Sequence, residues 1–414
     1  MNPANSQLRL YPAPHLVPAN PELRRAARIA GSLRVEALPG YKIGTLSQEW
    51  QALCSSTPVS EPFLNPEWPA AYLRFFAPAA CLRLFTVRDQ GELLAVLPLI
   101  EERDRLRGLP VRSLRAPANH HSVHFEMAIR GGADRANAAA VQALAQYFSR
   151  NNSWDVMELP MHLQNGAVGE LTRAAQTCGL ITETREAWRS LQVPLNPSVV
   201  ADAHEPWLSG ASTQFRKQIK RKWTQMETLG PLTLRRADGF DSVAFEQFCA
   251  VEQSGWKGAA GTAIASNPQT LGFYESVARQ PGQACALTMY FLDLNGSPIA
   301  AHFGLTQQGR YLLLKAGYDE AYAKFGPGHL LVNAVLHDLW QRGLQEFDFL
   351  GPAMPDEARW TKESRTVNRT LIFRAGVYGR MLHTIEYPVK EQAKHLLAYA
   401  AELRQRWFAR PIAA

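Results

Sequence analysis

Two spacings of apolar residues alternate along this chain: short runs with a period near two, which mark strands, and stretches with apolar residues three and four apart, which mark helices. Residues 33–38 read as a first strand, and 45–54 as a helix with Leu46, Trp50 and Leu53 on one side. Asn65 followed by Pro66 is a helix start, and the helix runs on through Tyr72, Leu73 and Phe76. Strands at 81–88 and 93–101 flank the turn Asp89-Gln90-Gly91, and 111–114 and 123–128 read as further strands. A helix at 136–150 leads to a strand at 154–159, then a helix at 169–178 and short strands at 180–184 and 190–193. After the proline-rich segment 194–206 come a helix at 212–230, a strand at 232–235, and helices at 240–252 and 270–279. Strands at 286–294, 298–306 and 311–315 follow in succession. Gly326-Pro327-Gly328 then opens a helix at 330–342 with apolar residues all round, and a strand at 346–350 comes next. The pattern closes with a strand at 369–373, a hairpin-like turn at 376–380 and a helix at 389–407.

Element order repeats. A helix, a break and a strand end the central part of the first half, and the same succession ends that of the second. The hairpins at 84–101 and 286–305 correspond as well. This predicts an α/β fold with mixed sheets in two halves of similar plan. The expected divisions are an N-terminal extension (1–32), a first domain (33–205), a second domain (206–388) and a C-terminal helix (389–414).

Length agrees: 414 residues exceed what one ordinary core organises. At 46% hydrophobic residues the chain is globular throughout. No apolar run approaches the roughly 20 residues that span a bilayer, and the first 28 residues lack the apolar region of a signal peptide. Cys54, Cys81, Cys178, Cys249 and Cys285 are scattered, fitting neither a disulfide framework nor a zinc site. The expectation is a cytoplasmic protein without a metal. A net charge of +7 points to an anionic partner, whether nucleic acid, a membrane surface or a phosphorylated cofactor.

Two stretches carry the charge argument. In the helix at 212–230, Phe215, Ile219, Trp223, Met226 and Leu229 form one stripe, with Arg216, Lys217, Lys220 and Arg221 opposite. Lys222 alone points into the apolar stripe, where its stem lies flat and its amine snorkels out. The basic run Arg216–Lys222 is either a solvated face or a clamp for an anionic partner. The Gly326-Pro327-Gly328 turn leaves helix N–H groups unpaired beside the positive end of the helix dipole, a site for phosphate or pyrophosphate, or else a plain connection. Asn119-His120-His121-Ser122-Val123-His124 lacks metal-ligand spacing and reads as a loop.

Taken in order, the basic helix, VEQSGWKG (251–258), AGYDEAYAKFGPGHLL (316–331), FDFLGP (347–352) and RWTKE (359–363) resemble the GNAT acetyltransferase superfamily. The nearest likeness is its CelD-type branch, named for cellulose biosynthesis and related to the FemAB aminoacyltransferases. EPFLNPEWPAAYLRFF (61–76) and SWDVMELP (153–160) carry the likeness into the first half. It implies tandem GNAT-like domains, each a twisted, mostly antiparallel sheet flanked by helices. The second would bind acetyl-CoA or a longer acyl-CoA through Lys324, Phe325, Gly326, Pro327, Gly328 and His329. The family usually has Arg or Gln three residues before the first glycine; here that position is Ala323.

Direct acyl transfer needs a base for the acceptor amine, donors for the carbonyl oxygen and an acid for the leaving thiolate. Asp348 is the candidate base, with Asp319 and Glu252 as further candidates, and Tyr318 the candidate acid. Trp256, Lys257, His302, Lys315, Trp360 and Lys362 are candidate contacts to a small-molecule acceptor. Each has a plainer alternative as a surface charge or core residue, and His302 in particular reads as a hydrogen-bonded core histidine. The reading is acyl-CoA-dependent N- or O-acyl transfer to a sugar, amine or envelope precursor. Its competitors are FemAB-like transfer from aminoacyl-tRNA and non-catalytic nucleic-acid binding.

Overall fold

The computed structural model describes residues 27–28, 33–56, 61–131, 135–195, 205–208, 210–280, 282 and 285–387. Almost all of the expected N-terminal extension, most of the segment between the halves and the C-terminal helix at 389–414 lie outside the described residues. The first half contains β1 (Ala27–Arg28), β2 (Leu33–Pro39), β3 (Cys81–Asp89), β4 (Glu92–Leu106), β5 (Leu109–Arg115), β6 (Ala128–Ile129), β7 (Val156–Leu163) and β8 (Ile181–Pro194). Its helices are α1 (Ile43–Ser56), α2 (Glu67–Phe76), α3 (Arg135–Arg150) and α4 (Ala167–Thr177). The second half contains β9 (Leu232–Asp238), β10 (Cys285–Leu294), β11 (Ser297–Gln307), β12 (Arg310–Tyr318), β13 (Glu346–Asp348) and β14 (Ser364–Phe373). With them are α5 (Thr213–Glu227), α6 (Ser242–Ser254), α7 (Trp256–Ala259), α8 (Pro268–Arg279) and α9 (Pro327–Gln341).

One mixed sheet runs through both halves in the order β1-β2-β3-β4-β5-β7-β14-β8-β13-β12-β11-β10-β9, with β6 beside β4. The predicted α/β character is therefore present. Two pairs are parallel, β5 with β7 and β12 with β13, and a helix crosses between the partners of each, α3 and α9 respectively. Each half thus holds the same strand–helix–strand unit. The halves then exchange their last strands: β8 lies against β13, and β14 against β7. At the centre β8 and β14 pair with each other.

This exchange explains one difference from the sequence pattern. The two short strands expected at 180–184 and 190–193 are one strand of 14 residues. Its polar middle stays extended because β14 supplies partners from Ile181 to Leu191, and β13 takes over from Gln192. Two further expectations are corrected. Of the strand at 123–128 only Ala128 belongs to one, since Phe125 N donates instead to Met161 O, 2.9 Å away. The hairpin-like turn at 376–380 is a helix start: residues 377–387 are helical, burying Leu382 and Tyr387 against Phe373.

The core is shared as well. On one face α1 and α2 of the first half pack with α6 and α8 of the second, Trp68 meeting Phe273 edge-on at 5.5 Å. The opposite face of the second half is covered by α5 and α9, whose apolar stripes close over Tyr290, Tyr311 and Phe347. Beneath these layers a charged network ties the halves together. Arg310 donates to Glu346 at 2.9 Å, to Glu61 at 3.0 Å and to Asp348 at 3.3 Å. Glu61, from the first half, also meets His124 Nδ1 at 2.8 Å. Arg365 on β14 closes the network onto Asp348 at 3.0 Å and Glu346 at 2.6 Å. Among the described residues no helix is long and apolar enough to cross a membrane.

Candidate active site

The site forms where β12 and β13 part. They pair only from Arg310–Leu312 against Glu346–Asp348; β13 then ends, while β12 continues along β11 to Tyr318. Opposite Phe303 and Gly304 the register shifts, leaving Leu314 as an extra residue in β12. Such a bulge bends the strand at the level where its partner leaves. Beyond β12, Asp319 caps a 3-10 turn (Glu320–Phe325) by accepting from Ala321 N at 3.0 Å. Gly326 follows in the left-handed region (φ 66°, ψ 54°), which glycine enters without a Cβ penalty. Pro327 starts α9 with the fixed φ that suits a first helical residue.

A cleft of about 490 Å³ occupies the gap. One wall is Leu313, Ala316, Gly317 and Tyr318 of β12, facing Phe349 beyond β13. Gly326, Gly328 and His329 form the loop end, where Lys222 of α5 also reaches. A Cβ built on Gly326 would lie 2.9 Å from the Lys222 amine, so the absence of a side chain lets this cation settle on the turn. Glu252, Trp256, Lys257 and His302 line it as well, together with Asp356, Glu357, Arg359 and Trp360.

The electrostatics differ from group to group. Glu252 is buried, with one carboxylate oxygen taking the Lys257 amine at 3.1 Å and the other Ile264 N at 2.8 Å. Lys257 also donates to Ala316 O at 2.7 Å, fixing α7 to β12. Burial, and then the Lys257 charge, hold the His302 imidazole down at about 3. Burial raises the Glu357 carboxyl to about 7 with help from the Asp356 and Asp348 charges, although Met354 N donates to it at 3.0 Å. Burial and neighbouring Glu320 push the Tyr318 phenol up. Trp256, 58% exposed, offers its indole at the mouth.

Of the residues singled out from the sequence, Glu252, Trp256, Lys257, His302, Tyr318, Gly326, Gly328, His329 and Trp360 line one cleft. The others sit elsewhere. Asp348 is fully buried, and its two oxygens accept four hydrogen bonds, from Ser190 Oγ, Leu350 N, Arg310 and Arg365. That uses all the lone-pair capacity of a carboxylate. Asp319 is occupied as a cap, and Lys362 is exposed and donates to Ala358 O. Pro327 is buried, Phe325 packs with the core under α5, and the exposed Lys324 lies over the Phe325 ring. Lys315 sits 5.5 Å over the Tyr274 ring, where burial and Lys257 bring its amine down to about 8.

Asp356, Glu357 and Arg359 are cleft residues that the sequence does not assign to a site, whereas Lys222 belongs to the basic run read as a solvated face or a clamp. Lys222 has a signal, as the single charge in an apolar stripe. The other three lie in a loop without periodicity. In the histidine segment, His121 stacks on Phe76 and hydrogen-bonds the Tyr274 hydroxyl, while His124 joins Glu61.

In the first half the equivalent gap, between β5 and β7, is filled by its own chain. Those strands pair over Ser113–Arg115 only. Beyond this, Phe125 N bonds Met161 O of β7, and the Glu126 carboxyl takes Leu163 N at 3.0 Å and Val168 N at 2.9 Å.

A parallel pair that parts at a bulge and leads through a glycine turn into a helix directs the comparison with known families. Residues 213–359 match the acetyltransferase (GNAT) domain. This GNAT match takes in α5 and every lining residue of the cleft except Trp360. A solved structure of FemX aligns with 82% of the chain and 98% of its own, at 11% identity and a TM-score of 0.53, a likeness of fold. A tandem GNAT protein from the clavulanic acid biosynthesis pathway aligns over 83% of this chain and all of its own, at 13% identity and a TM-score of 0.42. No curated protein matches the chain.

Proposed function

We propose that the cleft binds an acyl-CoA and transfers its acyl group, by direct attack, to an amine or hydroxyl of a small-molecule, sugar or envelope precursor. The observation that carries this is the Lys222 amine resting on the left-handed Gly326 at the start of the 15-residue α9, at one end of the gap between β12 and β13. The positive end of the helix dipole and a cation converge there on the space a pyrophosphate would fill, beside Gly328 N, since His329 N and Leu330 N already donate to Gly326 O at 3.0 and 3.2 Å. Lys222 arrives from α5 and supplies the charge that Ala323 does not. The pantetheine arm would run along the free edge of β12, toward Glu252, Trp256 and Lys257 at the acceptor end. The filled gap in the first half implies one donor site per chain.

Lys222→Ala is expected to raise the dissociation constant for acetyl-CoA about tenfold, the loss of one charge-assisted hydrogen bond. Calorimetric titration checks this, and an unchanged constant would remove Lys222 from the site.

For proton transfer the reading assigns Glu357 as base and Tyr318 as the acid for the thiolate. Glu252 is committed to Lys257 and Ile264, and Asp356 is exposed. Glu357 accepts from Met354 N through one oxygen, which leaves the other available to an acceptor, and it titrates near neutrality, where a general base works best. With water as acceptor, thiol release from acetyl-CoA should therefore fall as pH drops below about 7. Glu357→Gln should lower the rate and abolish that limb; a limb that persists in the variant would assign the base elsewhere.

Donation from aminoacyl-tRNA, or nucleic-acid binding without catalysis, is the second reading. It is favoured by the exposed Lys217, Lys220 and Arg221 on the outer side of α5. Salt-sensitive RNA binding by a protein that binds no acyl-CoA would select it.

A further inference from the structure

His302 lines the cleft and carries a buried ring nitrogen that has no hydrogen-bond partner among the described residues. It stands on β11 opposite Ala316, beside the bulge where β12 bends into the gap. The residue is 2% exposed, and among the described residues Nδ1 is buried without a hydrogen-bond partner. The sequence leads one to expect a core histidine satisfied by its neighbours; the structure gives the ring Phe347 at 6.2 Å and the small Ala316 instead. Leaving such a group unpaired is a cost that a protein tolerates where a ligand completes the bonding. The charged group facing it is Lys257, itself held by Glu252 and Ala316 O. A cation beside a buried imidazole disfavours a second proton on the ring, so the ring serves as a neutral N–H donor rather than a base.

We propose that His302 donates a hydrogen bond to the carbonyl oxygen of the bound acyl thioester and stabilises the oxyanion formed on attack. This rests on the acyl-CoA reading above. In the step, the lone pair of the acceptor nitrogen or oxygen forms the new bond to the carbonyl carbon, and the carbonyl π pair moves to the oxygen facing His302. Collapse re-forms the carbonyl and breaks the C–S bond. The acceptor proton goes to Glu357, and the thiolate takes a proton from Tyr318. A neutral histidine fits the task because it loses no proton and needs no charge.

The test uses the full chain and acetyl-CoA labelled with 13C at the carbonyl. In the wild type, the infrared carbonyl stretch of the bound thioester is expected below that of free acetyl-CoA, and in His302→Ala it should return toward the free value. Thiol release to water or hydroxylamine should fall on the order of 100-fold in His302→Ala, with KM for acetyl-CoA changed less than about threefold, as for loss of one oxyanion donor. His302→Gln, which keeps an N–H donor, should recover part of the rate. An unshifted carbonyl in the wild type, or a His302→Ala rate within about threefold of wild type, overturns the inference while leaving acyl-CoA binding intact. A wild type that binds no acyl-CoA overturns the underlying reading, and this inference with it. The infrared measurement on the wild type decides the matter even if a variant fails to fold.

Discussion

Gly328→Asp is expected to abolish acyl-CoA binding while leaving the protein folded. A Cβ at this position meets Tyr318 Cδ1 at 3.5 Å, an ordinary contact, and the backbone there is not left-handed. An acidic residue in the first turn of a helix is also favourable to the helix itself. The carboxylate would instead occupy the space of the pyrophosphate. Two like charges about 4 Å apart repel by about 4 kcal/mol at an effective dielectric of 20, which corresponds to a loss on the order of 100- to 1000-fold in affinity. Calorimetry and thermal unfolding on the same sample separate the two effects. Gly328→Ala, which adds volume without charge, should bind within a few-fold of wild type. Unchanged affinity in Gly328→Asp would show the loop to be a connection and nothing more.

The second large effect concerns stability. Replacing Arg310 by Met removes the cation on which Glu61, Glu346 and Asp348 converge. Arg365 still reaches Asp348 and Glu346, but among the described residues Glu61 is left with His124 alone in a buried site. Breaking a buried ionic network by removing one partner costs about 3–5 kcal/mol, because charges remain without compensation. Arg310→Met should therefore unfold well below the wild type in a thermal or urea melt. Adding Glu61→Gln should restore part of the loss, since it removes a stranded carboxylate. A melt within about 1 kcal/mol of wild type, on the order of one surface pair, would mean that the network contributes little to joining the halves.

Local physics makes the centre of the site legible from the amino acids alone. The strand, the glycine turn and the buried helix each follow from residues within a few positions of one another, although the helix starts at Pro327, inside the expected turn, rather than at 330. The Lys222 anomaly is legible too, but a helical wheel says which way a side chain points on its own helix, not which loop lies opposite. That depends on the packing of α5 on α9. Asp348 shows the converse. On a strand after a glycine loop it reads as a catalytic base, yet Arg310 lies 38 residues before it and Arg365 17 after it. Only the fold brings those guanidinium groups together on one carboxylate. The exchange of β8 and β14 is similarly non-local, since no residue in 181–194 states which strands will flank it. Glu357 lies in an aperiodic loop, and its environment comes from burial rather than spacing. His302 is legible as an inward-facing residue on an apolar strand; the lack of a partner for Nδ1 is not.

The proposed single acyl-CoA site between β12 and β13 underlies each of the binding and rate effects expected above. Calorimetric titration of the whole chain with acetyl-CoA tests it most directly, with Gly328→Asp alongside. Saturable binding of one acetyl-CoA per chain is expected, and its disappearance in the variant. Absence of binding to acetyl-CoA and to longer acyl-CoAs, with salt-sensitive binding of aminoacyl-tRNA instead, would contradict it.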